Sequence, residues 1–283
     1  ITFNPGESLG KNYDNKFIYS AFQGGLHAFD FEPSGAGLKK LQSDNFWLGG
    51  NIMDTEFDAD GRLFVADYVA ISNHRDGRKK GSIYVMKNSE AMQKKSVLSA
   101  AKLLKSGFRS SSLEQLGDNL SHRDMRVRLY AQFELAKRGK EGAVQFAKVL
   151  AQKENELSRL HAVWGLGQFS RRDNSYNKAL LVYVNDDAWR VRAQVAKVLG
   201  ESKDSRVFGE LLKLAKDKND RVRFFAATAL GKVANQKKVV SALIALAEEN
   251  NDQDVFLRHA IVTGLIYSQA NEELAKNINN PAV

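Results

Sequence analysis

The sequence predicts a protein that is α+β by domain, with short antiparallel strands over residues 1–88 and an all-α solenoid of about five stacked helix pairs over 89–283. Three observations predict this. Aromatic and β-branched runs alternate with glycine-rich turns up to about residue 88. No proline occurs between Pro33 and Pro281. A fixed pattern of arginine, small residue, leucine and small residue then returns at an interval of just over thirty residues.

The strand segments are Phe17–Phe22, Leu26–Phe31, Arg62–Tyr68 and Ser82–Met86, separated by Gly24-Gly25, Pro33-Ser-Gly35, Gly49-Gly50 and Asp60-Gly61. Asp60-Gly61, between Glu56-Phe57 and Leu63-Phe64, tolerates the positive φ of a tight turn and reads as a hairpin. Short strands at even spacing suggest a sandwich, barrel or propeller. From Ser89 the apolar spacing changes to threes and fours, the period of a helix. Ser89-Glu90 supplies a hydroxyl cap and an early acid, and the domain boundary is placed there.

The repeat is anchored by Arg128, Arg159, Arg192, Arg223 and Arg258. Three residues on stand Ala131, Ala162, Val195, Ala226 and Ile261, and seven on stand Leu135, Leu166, Leu199, Leu230 and Leu265. Eight on stand Ala136, Gly167, Gly200, Gly231 and Ile266. The leucine and the small residues share one helix face, which an amphipathic helix preceding each arginine helix can cover. Such pairs bury a core only by stacking. Asp124, Asp187, Asp220 and Asp254 precede four of the arginines by three to five positions. They are expected to cap the helices and to pair with the arginines in a structural ladder. Arg126, Arg190 and Arg221 are expected to point away as exposed charge. Trp164, Trp189, Phe224 and Phe225 are expected to serve packing.

Asp124-Met-Arg-Val-Arg128, Asp187-Ala-Trp-Arg-Val-Arg192 and Asp220-Arg-Val-Arg223 resemble the opening of the second helix of a HEAT repeat. Glu156–Arg159 and Asp254–Arg258 are looser versions. The resemblance covers roughly residues 108–278 and implies a binding or bracing scaffold. In the strand part, Phe46–Tyr68 and Tyr13–Phe29 resemble the last blades of sorbosone/glucose dehydrogenase-like β-propellers. They resemble in particular the bacterial multidomain proteins in which that propeller leads into HEAT repeats and then a c-type haem domain. The resemblance implies an exported, periplasmic protein. Its full-length form would carry pyrroloquinoline quinone and calcium, with a c-type cytochrome domain or the rest of the propeller as partner. Eighty-eight residues supply at most about two blades of a ring that needs four to eight, so no catalytic residue is carried over.

The chain has no cysteine, which removes thiolate nucleophiles, zinc–thiolate sites and Cys-x-x-Cys-His haem attachment. It begins at Ile1 rather than Met, as a processed protein or a piece of a longer one would. Residues 1–90 carry 10 Lys and Arg against 12 Asp and Glu, so the remaining 32 against 21 make the helical part basic. That balance favours acidic partners, and a free-standing basic scaffold gripping nucleic acid or another polyanion is the alternative function. The candidate ligand loop is Val69–Lys80, with Asn73, His74, Arg75 and Asp76, where a base could sit beside an anion clamp. No histidine pair has metal-ligand spacing. No apolar run is long enough to cross a bilayer.

Overall fold

A computed structural model describes residues 1–21, 24–47, 51–68, 81–233 and 236–281. Among the described residues nine strands precede twelve α-helices. They group into two compact units, residues 1–32 with 39–131 and residues 33–38 with 132–283.

In the first unit, β1 (Thr2–Phe3), β2 (Phe17–Ala21), β3 (Gly25–Phe29) and β6 (Asp44–Trp47) form one antiparallel sheet in the order β1-β2-β3-β6. β7 (Ile52–Phe57), β8 (Leu63–Asp67) and β9 (Ser82–Met86) form a three-stranded meander. The alternation of β8 is that of a half-buried strand: Leu63, Val65 and Asp67 point inward and Phe64 and Ala66 are half-buried. Ile18 and Leu26 of the first sheet meet Ile52, Phe57, Leu63 and Val65 of the second in one core. The Asp60-Gly61 turn joins β7 to β8 as expected, with Gly61 at φ +86°. Asp58 closes that hairpin by accepting from the Arg62 backbone at 2.8 Å and its Nε at 2.7 Å. Hairpin β4 (Phe31–Ser34) and β5 (Gly37–Lys40) is separate, and its tip, 33–38, groups with the second unit.

Helices α1 (Lys95–Ser106) and α2 (Leu113–Asn119) belong to the first unit. The strand-to-helix change falls close to residue 88, but the division between compact units lies inside α3 (Met125–Lys137), between residues 131 and 132. The reason is packing. Ser96 Oγ donates to Glu7 at 2.6 Å, the Met125 N–H donates to Pro5 O at 2.6 Å, and Lys105 pairs with Asp60. These contacts bind the first helices to the strands. Nor does Ser89 cap the first helix: a 3-10 turn over Ala91–Gln93, started by Asn88 Oδ1 accepting from the Ala91 N–H at 2.8 Å, comes first.

In the second unit, α4 (Lys140–Ala151) pairs with α5 (Glu156–Ser170), and α6 (Asn177–Leu181), flanked by 3-10 turns, precedes α7 (Trp189–Glu201). α8 (Phe208–Leu214) pairs with α9 (Asp220–Val233), and α10 (Gln236–Asn250) pairs with α11 (Val255–Ser268), followed by α12 (Asn271–Lys276). The arginine-bearing helices α5, α7, α9 and α11 pack each on the next. Leu135, Leu166, Leu199 and Leu230 are fully buried, and Leu265, in the last pair, is half-buried against Val240, Ile244 and Ala270. The glycines eight beyond the arginines are where these helices touch. A Cβ on Gly200 would lie 2.5 Å from Ala229 Cβ, and one on Gly231 would lie 2.0 Å from the Gly264 carbonyl oxygen. Only hydrogen fits there.

Candidate protein-interaction site

Four of the five arginines form two kinds of rung, buried at Arg159 and Arg192 and more exposed at Arg223 and Arg258. Arg159 donates through Nε to Leu150 O at 3.1 Å and through both terminal nitrogens to Asp186. Arg192 makes a two-pronged pair with Asp217, at 2.7 and 2.9 Å, and also donates to the Asp186 and Asp187 carbonyls. Both pairs are buried, with side chains 8% and 10% exposed at Arg192–Asp217. Burial pushes the Asp217 carboxyl up, but the Arg192 hydrogen bonds, the Asn219 N–H and nearby cations together hold it below its ordinary value. Arg223 reaches Asp220 and, at 3.0 Å, Glu249. Arg258 pairs with Asp252 in solvent, at 54% and 66% exposure. Arg128, in the first unit, is buried and donates to the His122 and Arg123 carbonyls at 2.7 and 3.0 Å. Burial pushes its pKa down.

The acids that face the arginines are therefore mostly not those nearest before them in sequence. Asp186 and Asp217 end the first element of the following repeat, 27 and 25 residues beyond their arginines, and stacking brings them opposite. Asp187 is 92% exposed and pairs with Lys153. Asp124 grips Arg126, at 2.8 and 3.1 Å. Asp220 does bond Arg223, and Asp254 caps α11 through the Phe256 and Leu257 N–H groups, at 2.8 and 3.0 Å. Asp124 and Asp254 are each held by amides of the first turn, Asp124 by the Arg126 N–H at 2.8 Å, and are turned away from the ladder.

Arg126 and Arg221, two residues before ladder arginines, are not solvated charge. Each holds a main-chain carbonyl. In the first unit Arg126 Nη1 donates to Asp58 O at 2.6 Å, on the β7–β8 turn. In the second, Arg221 Nη1 donates to Ala36 O at 2.7 Å while the Ala36 N–H donates to Asp254 Oδ2 at 2.6 Å. One residue's carbonyl and amide are thus both gripped. Gly35 and Gly37 flank it because a Cβ on either would lie 2.2 Å from Asp254 Oδ2 or the Phe256 ring. Arg221 stacks over Phe224 and Phe225, 4.9 Å from each ring centre, and burial pushes its pKa down. Arg190, at the same register in α7, stacks on Trp189 at 4.6 Å, pairs with Glu156 at 3.3 Å and is half exposed. Sequence reasoning missed this grip, since 185 and 218 residues separate its partners.

A second polar line runs across α3, α5 and α7. Gln132 Oε1 meets His161 Nδ1 at 2.8 Å, the His161 ring stands edge-on to Trp164, and Trp164 Nε1 donates to Gln194 at 2.8 Å. His161 is buried and His259 exposed, while His27 stacks on Tyr19. The loop holding Asn73, His74, Arg75 and Asp76 lies outside the described residues. Among the described residues no three His, Asp or Glu side chains gather in a metal-holding group. Among the same residues no helix is long and apolar enough to cross a membrane.

Residues 177–265, from α6 into α11, match a family model described as HEAT repeats. No curated protein matches the chain. HEAT repeats generally mediate protein interactions, which suggests a scaffold or interaction role for the matched residues.

Proposed function

We propose that this chain is the scaffold and interaction portion of a larger exported protein of sorbosone/glucose dehydrogenase-like organisation, its helical repeats bracing propeller blades and docking a redox or protein partner. The observation that carries the scaffold half is the grip of Arg221 and Asp254 on both main-chain groups of Ala36. Main-chain recognition holds a loop by its shape and tolerates sequence change, which suits a brace. The propeller half is supported by the order of strands before repeats. It is also supported by the β7-β8-β9 meander, whose edge strand β9 turns Ile83, 73% exposed, and Val85 to solvent. An edge with apolar side chains suits a neighbouring blade. In this reading the quinone, with calcium, and the oxidation of a sugar-like substrate belong to blades on other residues of the full protein, and electrons pass to a haem domain.

The test is the intact mass and upstream sequence of the native protein. About 300 preceding residues of blade-like strands are expected, and a native protein that begins near Ile1 overturns the propeller half. The excess of basic side chains in residues 91–283 favours a second reading, a scaffold for nucleic acid or another polyanion. Against it, Arg159 and Arg192 are already occupied by Asp186 and Asp217. A salt titration of binding separates the two, because phosphate binding falls log-linearly and steeply with salt.

A further inference from the structure

The first element of the third repeat is broken. Residues 174–185 run as a 3-10 turn, the five-residue α6 and a second 3-10 turn, where the preceding repeat has the twelve-residue α4. α4 packs on α5, and α6 on α5 and α7. Between α4 and α6 lies an open groove of about 570 Å3, floored by Leu166 with Ala143, Ala147 and Ala179. Its walls rise to Val144 and Val182, 50% and 71% exposed. Two branched apolar side chains held in water across a floor of alanines make a surface that a partner can cover and a bulky side chain can enter.

The rims carry one sign of charge. Lys140 stands one turn before Val144 on α4, and Lys148 follows one turn after it on the same face. Lys178 stands one turn before Val182. Lys140 and Lys178 line the groove, while Glu141 and Asp173, the acids nearest in sequence, do not. An apolar floor between lysine rims is complementary to a helix with one apolar face flanked by carboxylates, whose residues i, i+3, i+4 and i+7 would enter the groove.

We propose that the α4–α6 groove is a docking site for an acidic amphipathic helix of a protein partner. The site extends the scaffold reading. It rests only on the helical-repeat part of that reading, and shares no residue with the Arg221–Asp254 grip.

The experiment uses the whole chain and a fluorescein-labelled peptide of about 14 residues, with leucines on one helical face and glutamates beside them. An isomer of the same composition with the leucines spread around the helix is the control. Anisotropy should show saturable binding of the first peptide, with the isomer at least about tenfold weaker. The double variant Val144→Asp/Val182→Asp alters only exposed side chains, so circular dichroism should be unchanged while affinity falls at least about tenfold. Lys140→Glu/Lys178→Glu should weaken binding and flatten its salt dependence. Equal binding of the isomer, or unchanged binding by the folded valine variant, overturns the proposal. So does dodecanoate that needs the same valines while the peptide does not, which would make the groove a small-anion pocket. A self-association, seen by sedimentation, that the valine variant abolishes while peptide binding is absent would assign the groove to a second copy instead. Arg221→Ala should leave peptide binding unchanged, so failure of the loop grip and failure of the groove are read separately.

Discussion

The middle of the arginine ladder and its C-terminal end carry the same residue in the same helical register, yet Arg192 meets a buried acid from the following repeat and Arg258 an exposed one just before it in sequence. Arg192 and Asp217 meet out of solvent, with the Asp186 and Asp187 carbonyls accepting from Nη1. Arg258 and Asp252 meet in water. In the interior, removing one partner strands a charge. At the end, water replaces whichever partner is lost. A repeated motif thus fixes position without fixing energetic role.

The largest expected effect comes from breaking an inner rung. Arg192→Ala should lower unfolding free energy in urea by about 3–5 kcal/mol, because Asp217 stays buried without its cation. The same pair sets a pH dependence. The folded Asp217 carboxyl titrates below its ordinary value, so its contribution is complete above about pH 4 and is lost as pH falls through the lower folded value. Asp217→Asn should give a flatter stability profile in that window, and an unchanged slope would break the comparison. Gly231→Ala comes next, at about 1–3 kcal/mol, since its methyl meets the Gly264 carbonyl. Thermal unfolding measures it. Asp254→Ala should cost about 0.5–2 kcal/mol through the lost α11 cap, and should speed proteolysis at 33–38 by releasing Ala36. Arg258→Ala should change stability by under about 0.5 kcal/mol. A cost there as large as that of Arg192→Ala would mean that register, not burial, decides the energy.

The repeat was legible because stacking demands the same face every turn of the pattern, so Leu135, Leu166, Leu199 and Leu230 announce themselves by spacing. The acid partners were not, because a solenoid pairs residues across repeats, and nothing near Arg192 in sequence distinguishes Asp217 from Asp187. The strand-to-helix change at 88 was visible as a change of period. The compact-unit division at 131 was not, since it depends on contacts such as Ser96 with Glu7 and Met125 with Pro5. Arg126 and Arg221 read as surface charge for the same reason: main-chain carbonyls leave no trace in side-chain patterns. The α4–α6 groove was equally silent, because the break of residues 174–185 into short turns has no proline or glycine to mark it.

Where Gly200 meets the Cβ and Cα of Ala229 and Gly231 meets the Gly264 carbonyl, adjacent helices rest on the backbone with at most one methyl between them. Side chains can shrink, grow or switch rotamers, but a peptide unit has one thickness. The step from one repeat to the next is therefore gauged by polypeptide geometry, and substitutions elsewhere on these helices can alter what the scaffold holds while leaving its rise per unit untouched.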